Sequence, residues 1–211
     1  MKYKLTKETK DINGVKIYRI EALKSFAGVD KGDKGGWIEN KENLSQEGNA
    51  WVSGDAWVYG NAQVSGNARV SGNAQVYGNA QVSGNAWVYG NAQVSGNAWV
   101  SGNAQVSGDA QVSGNAWVYG NAQVSGNAWV SGNAQVSGDA QVCKKIKLIG
   151  GYFYHTKRKS EKIEIVDSFD DDFETLARDP KIEKQEEENS IGKVVKIKIN
   201  GGQIIEGEIV E

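Results

Sequence analysis

The stretch Gly84-Asn85-Ala86-Trp87-Val88-Tyr89-Gly90-Asn91-Ala92-Gln93-Val94-Ser95 decides the fold. It holds two copies of one six-residue unit, Gly-Asn/Asp-Ala-x-Val-Ser/Tyr. The unit recurs without interruption from Gly48 to Cys143, sixteen times in all. Ala fills the third place from Ala50 to Ala140, and Val fills the fifth from Val52 to Val142. Asp replaces Asn only at Asp55, Asp109 and Asp139, and Cys143 ends the last unit where the others carry Ser or Tyr.

The alternation in Ala-x-Val-x places Ala and Val on one side of a short strand. Gly-Asn then makes a corner, because Gly admits positive φ and the Asn side chain bonds nearby backbone. A single strand this short buries almost nothing. Stacked copies pair their backbone groups and bury a shared Ala and Val column, so the repeat must be long. Asn side chains at stacked corners are expected to form hydrogen-bonded ladders. The fold class that follows is all-β, a single-stranded parallel β-helix.

The pattern Val-x-Gly-Asn-Ala-x resembles the hexapeptide repeat of left-handed β-helices of the LpxA-like kind, where an aliphatic residue is followed four places later by a small one. That resemblance implies a left-handed triangular prism with three units per coil, and a homo-trimer. Roughly five coils at ~4.8 Å per strand give a rod about 25 Å long. A second resemblance lies upstream. The run Tyr18-Arg19-Ile20-Glu21-Ala22-Leu23, with Lys31-Gly32-Asp33, Gly35-Gly36-Trp37 and Asn43-Leu44-Ser45-Gln46, looks like the cap of YdcK-like hexapeptide proteins. Similar caps precede such repeats in many phage and prophage proteins, which implies a phage or prophage source.

Five segments are expected. Residues 1–47 form an N-terminal cap and 48–143 the β-helix. Residues 144–166 read as a basic β-hairpin that caps the last coil, 167–190 as an acidic linker, and 191–211 as a C-terminal β-hairpin turning at Asn200-Gly201-Gly202. A net charge of −2 gives no overall field for nucleic acid. One cysteine excludes an intramolecular disulfide and fits a reducing compartment. The first residues lack the apolar run of a signal peptide, and nowhere do eighteen apolar residues run together. The expectation is a cytoplasmic protein, in the host cytoplasm if phage-encoded, with no membrane association.

Three units per coil sort the outward x positions into three faces. The first carries Trp51, Arg69, Trp87, Gln105, Gln123 and Gln141. The second carries Trp57, Gln75, Gln93, Gln111 and Trp129, and the third Gln63, Gln81, Trp99, Trp117 and Gln135. Trp99 and Trp117 should stack with Tyr119 beside them, and Tyr59 should stack on Tyr77. The motif Trp-Val-Tyr recurs at Trp57, Trp87 and Trp117, a spacing of thirty that visits each face once. Such a spacing points to duplication of five units rather than to one chosen face.

Chemistry is sparse. The acyltransferases that the LpxA-like resemblance brings to mind use a histidine base and an extruded loop. The repeat has neither, so no catalytic residue is assigned. His155, the only histidine, is expected to pack in the hairpin or at the surface. One His and one Cys cannot build a zinc site, and Asp170-Asp171-Asp172 reads as solvated linker acid, so neither metal nor cofactor is expected. The candidate binding residues are Trp99, Trp117 and Tyr119 on the rod, with Tyr152, Tyr154, Lys157, Arg158 and Lys159 in the basic segment. The expected function is a non-enzymatic phage-type scaffold or binding protein. An alternative is a counter-defence protein that binds a host protein or nucleotide.

Overall fold

A computed structural model of the chain describes residues 1–155, Val194–Ile199 and Gln203–Glu208, with side chains through residue 153. The acidic segment 167–190, Asp170 to Asp172, the remainder of the basic segment and the turn at Asn200-Gly201-Gly202 lie outside the described residues. The fold is a parallel β-solenoid. Each x-Val pair is a short strand, bonded to the strand one coil before and one coil after. Trp87 pairs with Arg69 and Gln105, Gln93 with Gln75 and Gln111, and Trp99 with Gln81 and Trp117. The coil is therefore eighteen residues long with three units per turn, as the resemblance to hexapeptide prisms implied.

The interior is a single column of Ala and Val. Every one from Ala50 to Val142 is at most 1% exposed. Corner geometry is equally regular. Each repeat glycine has a φ between 59° and 71°, where an L side chain is strained. At Gly96 an added Cβ would lie 2.9 Å from the nitrogen and oxygen of Gly114 in the next coil. Glycine is thus required twice, by its own backbone and by the corner stacked on it. The adjoining Asn residues keep ordinary φ and form the expected ladders. One runs Asn49, Asn67, Asn85, Asn103, Asn121 and Asp139, each Nδ2 donating to the next Oδ1 at 2.9–3.0 Å. A second runs from Asn61 to Asn133, and a third from Asn73 through Asn91 to Asp109. Aspartate accepts but cannot donate. Asp109 and Asp139 accordingly appear as acceptors of the preceding Asn.

The cap is an antiparallel unit, β1 (Tyr3–Ile12), β2 (Val15–Ala22) and β3 (Lys34–Ile38). Asn13 and Gly14, both at positive φ, turn β1 into β2. β3 then runs parallel to the first strand of the second face, pairing Trp37 with Trp57. The first coil offers carbonyl oxygens with no preceding coil to bond them, and the cap supplies donors. Trp37 N–H donates to Ala56, Glu39 N–H to Val58 and Ser45 N–H to Val64. The buried Asn43 side chain donates to Gly60 and Ala62 at 2.9 Å. The buried Lys2 ammonium donates to Ala50 at 2.9 Å and Glu47 at 3.2 Å. An open sheet edge is thereby closed by side chains as well as strands.

The reading of 144–166 as a basic hairpin is corrected here. Lys147–Leu148 pairs in parallel with Trp129–Val130, and Tyr152–His155 pairs in parallel with Gln135–Gly138. The two strands continue the coil and do not pair with each other. Lys144, at φ 59°, stands in the glycine place of a seventeenth unit. Ile146 and Leu148 take its Ala and Val places and pack against the core, as does Phe153 one rung later. Gly150-Gly151 is a corner, one residue shorter than the others, since Gln135 pairs with Tyr152 and not with residue 153. The solenoid thus has six strands on each face. Val194–Ile199 and Gln203–Glu208 form a separate antiparallel pair.

Candidate functional site

The third face collects the candidates. Its x column reads Gln63, Gln81, Trp99, Trp117, Gln135 and Tyr152 in register. The neighbouring sixth-place column passes through Ser83, Ser101, Tyr119 and Ser137 to Tyr154, which is paired with Ser137. Continuation of the coil past residue 143 brings Tyr152 and Tyr154 onto the face already occupied by Trp99, Trp117 and Tyr119. The sequence alone placed these two groups on different elements. Lys157, Arg158 and Lys159 lie outside the described residues.

Trp99 and Trp117 meet edge to face, with ring centroids 5.2 Å apart and planes at 69°. That is a favourable aromatic arrangement. The Trp99 indole N–H also donates to Ser83 Oγ in the preceding coil at 3.3 Å. Trp129 makes the same 3.3 Å bond to Ser113 on the second face. A serine in the sixth place thus anchors a tryptophan sixteen residues later. The aromatic rings remain accessible, Trp99 at 39%, Trp117 at 42% and Tyr152 at 60%. Tyr119 is partly exposed.

The other aromatic groups have different surroundings. Trp51, expected to face outward, is buried under the cap at 4% exposure, against Tyr3 and Phe26. Trp37 sits under Lys10 and Arg19 and donates to Asp55. Tyr59 and Tyr77 stack nearly parallel at 5.3 Å, as expected. Burial and the neighbouring Tyr77 raise the Tyr59 pKa. Trp129 is topped by the Lys147 ammonium at 4.8 Å.

Three departures from the repeat in its first coils are all cap contacts. Trp51 packs on the cap, Asp55 accepts from Lys10 at 3.2 Å, and Arg69 donates to the Ala27 carbonyl. Lys10 and Trp37 hold the Asp55 carboxyl below its usual pKa. Arg69 lies on the first face and Lys147 on the second. The third face has no charged residue in either column from Gln63 to Tyr154. Among the described residues no group of three or more His, Cys, Asp or Glu is placed to hold a metal ion, and no helix is long and apolar enough to cross a membrane.

The YdcK Beta solenoid repeat family model matches residues 62–78, 74–90, 80–95, 92–108, 110–126 and 122–138. Every matched window lies within the solenoid. No curated protein matches the chain.

Proposed function

We propose that this YdcK-type β-solenoid repeat protein is a non-enzymatic binding protein that presents its third face to a ligand. The observation that carries the reading is the convergence of Trp99, Trp117, Tyr119 and Tyr152 on one uncharged sheet face. Exposed aromatic side chains on a rigid sheet give contact area at little entropic cost. The solenoid interior, filled by Ala and Val, leaves the outside as the working surface. A left-handed coil, a trimer and a phage or prophage source belong to the same proposal, supported by the hexapeptide pattern and the amino-terminal run.

The test uses substitutions that the repeat itself supplies. Gln occupies the x place, and Ser the sixth place, in most units. Trp99→Gln, Trp117→Gln and Tyr119→Ser should therefore fold as the parent does. Oligosaccharides, nucleotides and oligonucleotides are titrated against parent and triple variant by calorimetry. The reading expects one class to bind the parent and to lose at least ~tenfold affinity in the variant. Binding that is unaffected by the three changes would place the site elsewhere. Acyl-CoA hydrolysis or transfer that disappears in His155→Ala would overturn the non-enzymatic assignment.

A further inference from the structure

The third face is narrow, uncharged and periodic. A side of the coil offers about four extended residues, roughly 13 Å, and the aromatic section from Trp99 to Tyr152 spans three coil steps, ~14 Å. That patch is on the order of 200 Å², well short of the ~800 Å² per partner that a stable protein interface buries. A second copy or a folded protein needs more surface than this section offers. Nucleic acid needs cations to meet its phosphates, and among the described residues neither column supplies one.

What the face does supply is a row of rings and amides one coil step apart. Indole and phenol rings stand at Trp99, Trp117 and Tyr152, with the Gln135 amide between the last two. The ladder from Asn61 to Asn133 runs along one margin of the face. Each ladder amide spends one N–H and one lone pair on its neighbours, leaving the other N–H and lone pair for a ligand. The opposite margin is the ladder that ends at Asp139, the one charge on that rim among the described residues. Rings that accept C–H faces, flanked by neutral amides and hydroxyls, match the chemistry of a sugar chain. The coil spacing is close to the length of one pyranose unit in an extended glycan.

We infer that the third face binds a neutral, extended polysaccharide lying along the row Trp99, Trp117, Gln135 and Tyr152. This rests on the binding reading above and adds the ligand class. The test is native gel electrophoresis of the full chain in gels containing hydroxyethylcellulose, laminarin or dextran. A charged polymer, polygalacturonate, and polyuridylate serve as comparisons. The variant Trp99→Gln/Trp117→Gln/Tyr119→Ser/Tyr152→Gln is run alongside, its thermal melt confirming that it folds.

The expected result is retardation of the parent by at least one of the three neutral polymers. It should persist at raised salt, and the variant should show an apparent affinity at least ~fivefold weaker. Retardation by none of the three overturns the inference. Retardation by polyuridylate alone, lost in the variant, overturns the ligand class and leaves the face as the binding surface. Equal retardation of parent and variant overturns both readings. A solution mass that drops to that of the monomer only in the variant also overturns the inference, because a second copy then covers the face.

Discussion

The Lys2 ammonium donates to the Ala50 carbonyl at 2.9 Å while the residue keeps 1% of its surface exposed. It closes one of the open carbonyls of the first coil. Burial, with Lys24 and Arg69 nearby, lowers its pKa from 10.5 to about 8. Beside it, burial raises the Tyr3 hydroxyl from 10.0 to about 12, and that hydroxyl donates to Leu44 at 2.6 Å. Between pH 8 and 10.5 the unfolded chain holds a lysine proton that the folded chain has released, so Lys2 adds stability as pH rises. Between pH 10 and 12 the folded chain keeps a tyrosine proton that the unfolded chain has lost, so Tyr3 removes stability as pH rises. Denaturant melts from pH 7 to 11 should show a rise towards about pH 10 and then a fall. Lys2→Met should flatten the rise; at pH 7 it loses the Ala50 donor, about 1–3 kcal/mol, and also sheds the cost of a buried charge, so its net effect there is smaller than the hydrogen bond alone. A rise of the same size in Lys2→Met would sink the assignment.

Gly96 has φ 66°, and its corner rests on Gly114. Gly96→Ala combines a left-handed Ala with backbone overlap. It should cost about 2–4 kcal/mol, whereas Ser95→Ala, one residue away, should stay within about 0.5 kcal/mol. Urea unfolding of the two variants compares them directly. A Gly96→Ala cost below 1 kcal/mol would mean that the corners separate easily.

Asn97 accepts from Asn79 at 2.9 Å and donates to Asn115 at 3.0 Å. Asn97→Asp keeps the first bond and loses the second, and Asn97→Ala loses both. With about 1 kcal/mol per bond, the aspartate should fall midway between parent and alanine. Thermal unfolding of the three proteins gives that order, and an aspartate as damaging as alanine would show that the ladder acts only as a unit.

The edge-to-face contact of Trp99 and Trp117 should contribute about 0.5–1.5 kcal/mol of coupling. A double-mutant cycle with Trp99→Gln and Trp117→Gln measures it. The near-ultraviolet dichroism of the pair should vanish in either single variant. Zero coupling would mean that the rings turn independently in solution.

Lys144 holds a glycine place at φ 59°. Lys144→Gly removes the left-handed strain of about 1–2 kcal/mol and adds back glycine's chain entropy, for a net gain of about 0.5–1 kcal/mol. A loss of stability instead would show that the lysine side chain contributes more than its backbone costs.

Much of this architecture was legible in the sequence. Val at every fifth place and Ala at every third fixed what is buried, and the eighteen-residue step then put Trp99 on Trp117 and Tyr59 on Tyr77. The last coil was misread because Lys-Ile-Lys-Leu and Tyr-Phe-Tyr, joined by Gly150-Gly151, alternate with a period of two. Hairpin strands and solenoid rungs share that period. The readable signal was phase: Leu148 lies six residues after Val142, and Ile146 stands in an Ala place. Trp51, Asp55 and Arg69 stand among the variable places of the repeat, and nothing near them in the sequence marks them as cap contacts. Their partners Phe26, Lys10 and Ala27 lie some twenty-five to forty-five residues upstream, and no local pattern links such distant positions.

The thirty-residue spacing of Trp57, Trp87 and Trp117 has a mechanical meaning once the coil is known to take eighteen. The rod behaves as a screw. Gaining or losing three units moves everything downstream along the axis and leaves its azimuth unchanged. Gaining or losing five units, the spacing of that motif, also swings the distal part through two-thirds of a revolution relative to the cap. Recombination among near-identical units therefore reorients the distal aromatic patch as well as altering the rod's length. Only changes that are whole multiples of eighteen residues preserve its aim.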